Sequence, residues 1–155
     1  MASSKTRNDL RTRIFARSYD HDPGASTAKL AGPDGGTTIR HVDMSQFRNL
    51  LVIAMSTALT GAGVNLLEIV ADETAAFSDP VVVKTSGAVV CDAMGDQAVL
   101  ECSAEELAAL GAANSKDLRY AAARVTMANA ADEGVVTYIA EARWPHDALT
   151  ANYIS

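Results

Sequence analysis

The clearest pattern of apolar and polar positions lies in residues 118–144, where two alternating segments flank a short turn at residues 132–134. A period of two is typical of strands with one face in a core and one wetter face. The apolar positions are Ala121, Ala123, Val125 and Met127 in the first segment, and Val136, Tyr138, Ala140 and Ala142 in the second. In the second segment Ile139 is an apolar exception beside the polar residues Thr137, Glu141 and Arg143. The turn ends in a glycine, so the whole segment predicts a β-hairpin.

The middle of the chain predicts further strands. Residues 46–57 are almost continuously apolar, which favours a buried strand, and residues 64–71 form another after Gly61 and Gly63. Because these glycines can adopt positive φ, we predict a second hairpin around them. Shorter strands are predicted at residues 37–42, 81–85, 86–93 and 97–102.

One helix interrupts the strands. Ser103 and Glu106 match a capping box, which predicts a helix over residues 104–110 that ends at Gly111. Seven or eight strands without strand–helix alternation argue against a parallel α/β sheet. The predicted fold class is therefore all-β: an antiparallel two-sheet sandwich, jelly-roll-like or alternatively Ig-like, with one short helix and an extended N-terminal arm.

Composition divides the chain into three parts. Residues 1–43 form an N-terminal arm and the first strand, residues 44–144 form the β-sandwich domain, and residues 145–155 form a C-terminal tail. Apolar spacing favours a short helix at residues 8–17, and residues 18–36 are rich in turn-forming residues. We expect neighbouring molecules to order so polar an arm, the alternative being an arm wrapped on its own domain.

Charge is distributed unevenly along the chain. The net charge of −6 argues against a general nucleic-acid binder, and no apolar run approaches the roughly 20 residues that span a bilayer. Residues 1–43 carry seven basic and five acidic side chains, whereas residues 44–155 carry six basic and fourteen acidic ones. We predict that the arm binds an acidic surface of a neighbouring copy or another protein, steered by charge and anchored by its apolar residues. The predicted partner-binding residues are Arg7, Arg11, Arg13, Ile14, Phe15 and Arg17.

Residues suited to catalysis or metal binding are scattered. His21, His41 and His146 lack the paired spacing of a metal site, and Cys91 and Cys102 are interpreted as two reduced, buried thiols. No nucleophile elbow or phosphate-binding loop occurs. The sequence therefore predicts no enzyme activity, no metal and no cofactor.

Two weaker patterns bear on sugar chemistry. Three glutamates stand in predicted strands and are interpreted as solvent-facing residues rather than as glycosidase acids: Glu68, Glu101 and Glu141. Three aromatic residues would suit a sugar-binding platform: Trp144, Tyr138 and Tyr120. A carbohydrate- or receptor-binding β-sandwich module is therefore an alternative function, although a tryptophan just before a proline at a strand end is more typical of core closure.

Four segments resemble the capsid decoration (cement) proteins of tailed bacteriophages, which have a jelly-roll body. These are residues 59–70 (LTGAGVNLLEIV), 98–111 (AVLECSAEELAALG), 119–126 (RYAAARVT) and 135–139 (VVTYI), within a likeness that covers roughly residues 45–144. The resemblance implies a virion structural protein on the capsid surface, synthesised in the host cytoplasm and present as dimers or trimers. It implies that the partner is the major capsid protein and that the protein uses no cofactor and performs no catalysis. Another virion component, in the tail or the head–tail connector, is the alternative.

Overall fold

The described chain consists of nine strands and one helix. The computed structural model describes residues 14–22, 28–31, 39–59, 63–129 and 131–143. Its elements are β1 (Ile14–His21), β2 (Lys29–Leu30), β3 (Val42–Asp43), β4 (Phe47–Ala58), β5 (Val64–Asp72), β6 (Val81–Cys91), β7 (Gln97–Ser103), α1 (Ala104–Asn114), β8 (Tyr120–Met127) and β9 (Glu133–Ala142).

The strands form two antiparallel sheets that pack face to face. Sheet A has the order β1-β9-β4-β7, and sheet B has the order β2-β8-β5-β6, with β3 also paired to β8. Strands β2 and β3 pair with different stretches of β8, on the side away from β5, and so act as one interrupted strand. An Ig-type sandwich keeps its first two strands in one sheet, whereas β1 and β2 lie in different sheets here. The order confirms the predicted two-sheet sandwich and identifies it as a jelly roll.

Both predicted hairpins are wrong, although the strands themselves are confirmed. Strands β8 and β9 lie in different sheets and face each other across the core, and the same holds for β4 and β5. The alternating pattern identifies the face that each strand buries, and in a sandwich both sheets bury an apolar inner face. A glycine-containing loop can therefore lead to the opposite sheet as well as to the neighbouring strand. Within the described residues, β5 and β6 are the one pair of consecutive strands that hydrogen-bond to each other.

The core lies between the sheets and is filled by a few large side chains and many alanines. Every inward position predicted in β8 and β9 is buried, including Tyr138, which is fully shielded from solvent. The largest fully buried side chains are Tyr138, Phe47, Leu50, Leu67, Ile69, Leu107 and Met127. Small residues on the facing strands allow the sheets to approach these bulky groups closely.

Tyr138 closes a gap in sheet B. Its hydroxyl accepts a hydrogen bond from the backbone N–H of Ala123 (2.8 Å) and donates one to the carbonyl oxygen of Arg40 (2.9 Å). The Ala123 carbonyl, in turn, accepts from the Ala31 N–H just after β2 (2.7 Å). Ala123 therefore lies where β2 has ended and β3 has not begun, so a side chain from sheet A supplies the missing partner for its N–H.

Helix α1 begins as predicted and ends later. The Ser103 hydroxyl accepts from the Glu106 N–H (3.1 Å), and the Glu106 carboxylate accepts from the Ser103 N–H (2.8 Å), which confirms the capping box. The helix continues one turn past Gly111 and is capped by Ser115 in the left-handed conformation. Gly111 is required for close packing instead, because a Cβ there would lie 2.5 Å from the Lys116 carbonyl oxygen.

The first strand lies where the sequence predicted an arm and a short helix. Strand β1 pairs with β9 along its whole length, so residues 14–21 are part of sheet A. Phe15, Tyr19 and His21 alternate toward the interior, and the Phe15 ring meets that of Phe47 edge-on, with centroids 5.6 Å apart. Over residues 14–17 a strand therefore replaces the predicted helix, and residues 8–13 of that prediction lie outside the described residues. Of the predicted strand at residues 37–42, residues 37–38 lie outside the described residues, residues 39–41 are not strand, and Val42 begins β3. Strand β6 runs through both short strands predicted after residue 80.

Candidate interaction surface

The two outer faces of the sandwich differ in how they are covered. The outer face of sheet B carries a second small core, in which Val70 and Ala122 are completely buried and Phe77 is nearly so, with Leu30 and Ile39 packed against them. The outer face of sheet A has no comparable cover in the part of the chain that the structure describes, where its apolar side chains are exposed or half-buried. The outer face of sheet A is therefore the candidate functional surface.

An apolar band crosses the outer face of sheet A on all four strands. The strand register aligns these residues in successive rows, so that Ile139 lies beside Leu51 and Ile53 lies beside Val99. The band consists of Ile14, Ala16, Leu51, Ile53, Met55, Val99, Val135 and Ile139. The exposed fractions of Ile14 and Val99 are 49% and 48%. Isolated exposed apolar residues are common, but a contiguous group of them marks an interaction surface.

A groove with a volume of about 430 Å³ lies at one end of this band. Ile14, Leu51 and Ile139 supply apolar surface to it, and it crosses all four strands of sheet A. Its charged lining residues are three glutamates and one lysine, a net charge of −2: Glu101, Glu106, Glu141 and Lys84. We call this site the acidic groove.

Two of the groove glutamates are held in place by hydrogen bonds and ion pairs. Glu141 accepts from the Asn49 side chain (2.8 Å) and forms an ion pair with Arg48. Glu106 forms an ion pair with Lys84 (2.6 Å), and this contact, together with the helix cap, lowers the pKa of the Glu106 carboxyl. Both carboxylates are therefore held in position at the groove.

Glu101 lies between these two pairs and is exposed. It pairs in register with Leu51, so its carboxylate borders the apolar band directly. None of the salt bridges within the described residues involves it. Its charge is therefore available to a cationic partner that enters the groove.

The predicted partner-binding residues fall into two groups. Arg7, Arg11 and Arg13 lie outside the described residues. Of the others, Ile14 lines the acidic groove and Arg17 is exposed on the edge strand β1, as a binding role requires. Phe15 was expected to anchor a partner, but it is half-buried and packs into its own sandwich, where it stabilises β1.

The described residues that were predicted for sugar binding or sugar hydrolysis do not lie together in the structure. Tyr138 is fully buried, Tyr120 lies half-buried on the opposite sheet, and Trp144 is outside the described residues, so the predicted aromatic platform does not form. Glu68 is paired with Arg124 (2.7 Å) on the outer face of sheet B, across the sandwich from the two sheet A glutamates. The acids therefore do not converge as a glycosidase pair would.

The two cysteines and His41 occupy ordinary structural positions. Cys91 and Cys102 are unpaired and buried, as predicted, and burial raises the pKa of the Cys102 thiol to about 12. Burial lowers the pKa of His41, whose ring packs edge-on against Tyr120 at 5.3 Å between centroids. The described residues contain no cluster of three or more potential metal ligands.

The apolar band itself was not predicted from the sequence. The run at residues 46–57 was interpreted as a strand buried on both faces, whereas β4 buries alternate residues and presents Leu51, Ile53 and Met55 on the outer face. One signal was present: Ile139 stands among the polar positions of its strand. An apolar residue on a polar face indicates the same surface that the register reveals.

The fold and this surface define the chain as a jelly-roll protein with an apolar outer face on sheet A that has no comparable cover among the described residues. No protein-family model and no curated protein matches the chain. Among solved structures, it is similar to a chain in the "Structure of infectious bursal disease virus Gx strain", with 12% identity and a TM-score of 0.32, over 90% of this chain and 33% of that one. The chain thus spans about a third of that chain's length, and a likeness of this size carries no argument about function. In the described part of the chain, no helix has the length and apolarity needed to cross a membrane.

Proposed function

We propose that the chain is a virion structural protein, and specifically a capsid decoration (cement) protein that binds the outer surface of the major capsid protein lattice and stabilises the head. The observation that carries this proposal is the apolar band on the outer face of sheet A, which has no comparable cover in the described part of the chain. Such a surface favours contact with another protein.

The size of the band favours binding in many copies. Three strand spacings of about 4.8 Å give it a width of roughly 14 Å between the outer strands, and its rows extend it over a similar length. A standard interface buries roughly 800 Å² on each partner, so this face alone is small. A lattice offers the same site many times, and a decoration protein that is itself oligomeric gains avidity from that repetition.

A charge placed on the band tests the proposal. Val99→Asp introduces a carboxylate at an exposed position of the band, where it leaves the core intact. Val82→Asp is the matched control, because Val82 is 40% exposed on the edge strand β6 of the other sheet. Purified variants are added to heads of the encoding virus that lack the protein, and the copies bound per head are counted together with the melting temperature of the heads.

We expect Val99→Asp to lose most of its occupancy and its stabilising effect, while Val82→Asp retains both. Circular dichroism establishes that each variant is folded. Equal occupancy by wild type and folded Val99→Asp would remove the band from the mechanism. Binding confined to the tail or to a single vertex would replace decoration with the tail or connector alternative.

A further inference from the structure

We infer that the acidic groove binds the basic N-terminal segment, residues 1–13, of a second copy of this chain. This inference goes beyond the proposed function, since it concerns contacts between copies and not attachment to a capsid. It rests on the charge of the groove, on its apolar floor, and on the place where the chain enters sheet A.

The segment and the groove are complementary in charge. Residues 1–13 contain four basic side chains and one acidic side chain, a net charge of +3: Lys5, Arg7, Arg11, Arg13 and Asp9. The groove lining carries a net charge of −2, with Glu101 outside the ion pairs of the described residues. Arginine suits this role because its guanidinium binds carboxylates in a bidentate fork.

The segment also has an apolar group at its centre. Leu10 lies between the arginines at positions 7 and 11, and the groove offers Leu51 and Ile139 between its glutamates. Cationic and apolar side chains are thus neighbours in the segment, and anionic and apolar side chains are neighbours in the acidic groove. The two surfaces are complementary in both respects. Exposed ion pairs alone contribute only about 0–1 kcal/mol each, so this apolar contact supplies affinity that charge does not.

The chain geometry brings the segment to a groove of this kind. Ile14, the first described residue, itself lines the groove, so residues 1–13 join the body beside it. Thirteen residues reach up to about 43 Å when extended, against roughly 14 Å needed to cross four strands. The segment is long enough to leave its own body and lie across the groove of a neighbour.

A second copy is a better source of the segment than the same chain. Strand β1 runs from Ile14 at the groove toward Asp20 at the other end of sheet A, so the chain enters the sheet from beyond the groove end. Residues 10–13 read Leu-Arg-Thr-Arg and contain no glycine, proline, asparagine or aspartate, the residues that most readily reverse a chain. The nearest turn-forming residues are Asn8 and Asp9, so the sequence favours a course that carries Arg11 and Arg13 away from their own groove and toward that of a neighbour.

Charge reversal on each side of the contact tests this inference. Glu101→Lys alters the groove, Arg11→Glu alters the segment, and Glu133→Lys is the matched control, an exposed glutamate at the far end of sheet A. Sedimentation velocity of the full-length chain, over a range of protein concentration and salt, measures self-association without any capsid. We expect wild type and Glu133→Lys to associate, and each of the other two variants to associate at least tenfold more weakly.

Mixing the variants identifies the partner. A mixture of Glu101→Lys and Arg11→Glu restores opposite charges between copies, so we expect association to return toward the wild-type level. A wild type that stays monomeric, or a mixture that does not recover, would overturn the inference. Both readouts are independent of capsid occupancy, so failure of the proposed function and failure of this inference are separate results.

A disulfide test distinguishes the two possible sources of the segment. In a chain carrying both Arg11→Cys and Glu101→Cys, oxidation is expected to yield covalent dimers and larger species on a non-reducing gel. The native thiols do not compete, because Cys91 and Cys102 are buried. An internally bridged monomer as the main product would show that the segment occupies its own groove and would contradict the second-copy assignment.

Discussion

Removing the hydroxyl of Tyr138 tests whether sheet B depends on a side chain from sheet A. In Tyr138→Phe the ring keeps its place in the core, while the Ala123 N–H loses its hydrogen-bond acceptor and the Arg40 carbonyl loses its donor. Ala123 is completely buried, and its N–H faces the gap between β2 and β3. Water therefore has no route to replace the hydroxyl at this N–H.

The expected cost follows from the burial of the two partners. An unsatisfied buried N–H costs about 1–3 kcal/mol, and loss of the bond to the half-buried Arg40 carbonyl adds roughly 0.5–1 kcal/mol. The sum is about 3 kcal/mol, a large part of the 5–15 kcal/mol typical of a folded domain. For a chain of this size, that lowers the melting temperature by roughly 6–12 °C.

Urea unfolding followed by circular dichroism measures this cost, and Tyr120→Phe is the matched control. The Tyr120 ring contacts His41 and Arg119 through its aromatic faces and edge, which phenylalanine preserves. We expect Tyr120→Phe to change the free energy of unfolding by less than about 0.5 kcal/mol. Equal stability of the two variants would refute the idea that the Tyr138 hydroxyl completes the interrupted strand.

Three further predictions concern a cap, a close backbone contact and an ion pair. Ser103→Ala removes the N-cap of α1 and is expected to lower the free energy of unfolding by about 1 kcal/mol in urea titrations; an unchanged midpoint would contradict the capping role. Gly63→Ala places a Cβ against backbone at positive φ, whereas Gly87→Ala, its control, has a similar positive φ in open space. Both variants share roughly 1–2 kcal/mol of left-handed strain. In thermal melts we expect Gly63→Ala to lose clearly more stability than this shared amount. Burial acts to raise the pKa of Asp43, but its hydrogen bonds, led by two from Arg119 (3.0 and 2.6 Å), outweigh burial and lower it. The Asp43–Arg119 ion pair therefore stabilises the folded state above about pH 4, and this stabilisation is lost as the pH falls through the native pKa of Asp43, which lies below its usual value. Urea midpoints measured between pH 2 and 5 should fall less steeply for Asp43→Asn than for wild type, and parallel curves would contradict this assignment.

The sequence specifies the faces of the strands better than their partners. The inward positions of β8 and β9 follow directly from alternation, because burial of Val136 and Tyr138 requires that Thr137 and Glu141 point outward. Which strands pair with each other depends on which loops cross from one sheet to the other. A short loop that contains glycine can either form a hairpin or lead to the opposite sheet. The topology therefore requires long-range contacts such as that of Tyr138 with Ala123, which leave no local pattern.

The candidate surface was predictable only in part, for a related reason. Charge segregation along the chain identified the basic segment, since composition is visible without a fold. The groove that we assign to it combines residues from distant strands, with Ile14, Glu101 and Glu141 brought together by the order of sheet A. Each of these residues looks unremarkable in its own strand, and only the register makes them one site.

The position of the groove has a consequence for the symmetry of any assembly. Ile14 both lines the groove and begins the described chain, so the origin of the segment and its binding site lie at the same end of sheet A. Two copies that face each other at this end can exchange segments reciprocally, and such an isologous contact closes as a dimer. If each copy instead binds only one neighbour, the contact is heterologous and continues into rings or open chains. The short distance between origin and site favours reciprocal exchange, because it satisfies both grooves with one twofold axis. The exchanged segment would cover Ile14, Leu51 and Ile139, which line the groove, and leave Ile53, Met55 and Val99 of the apolar band for a larger partner.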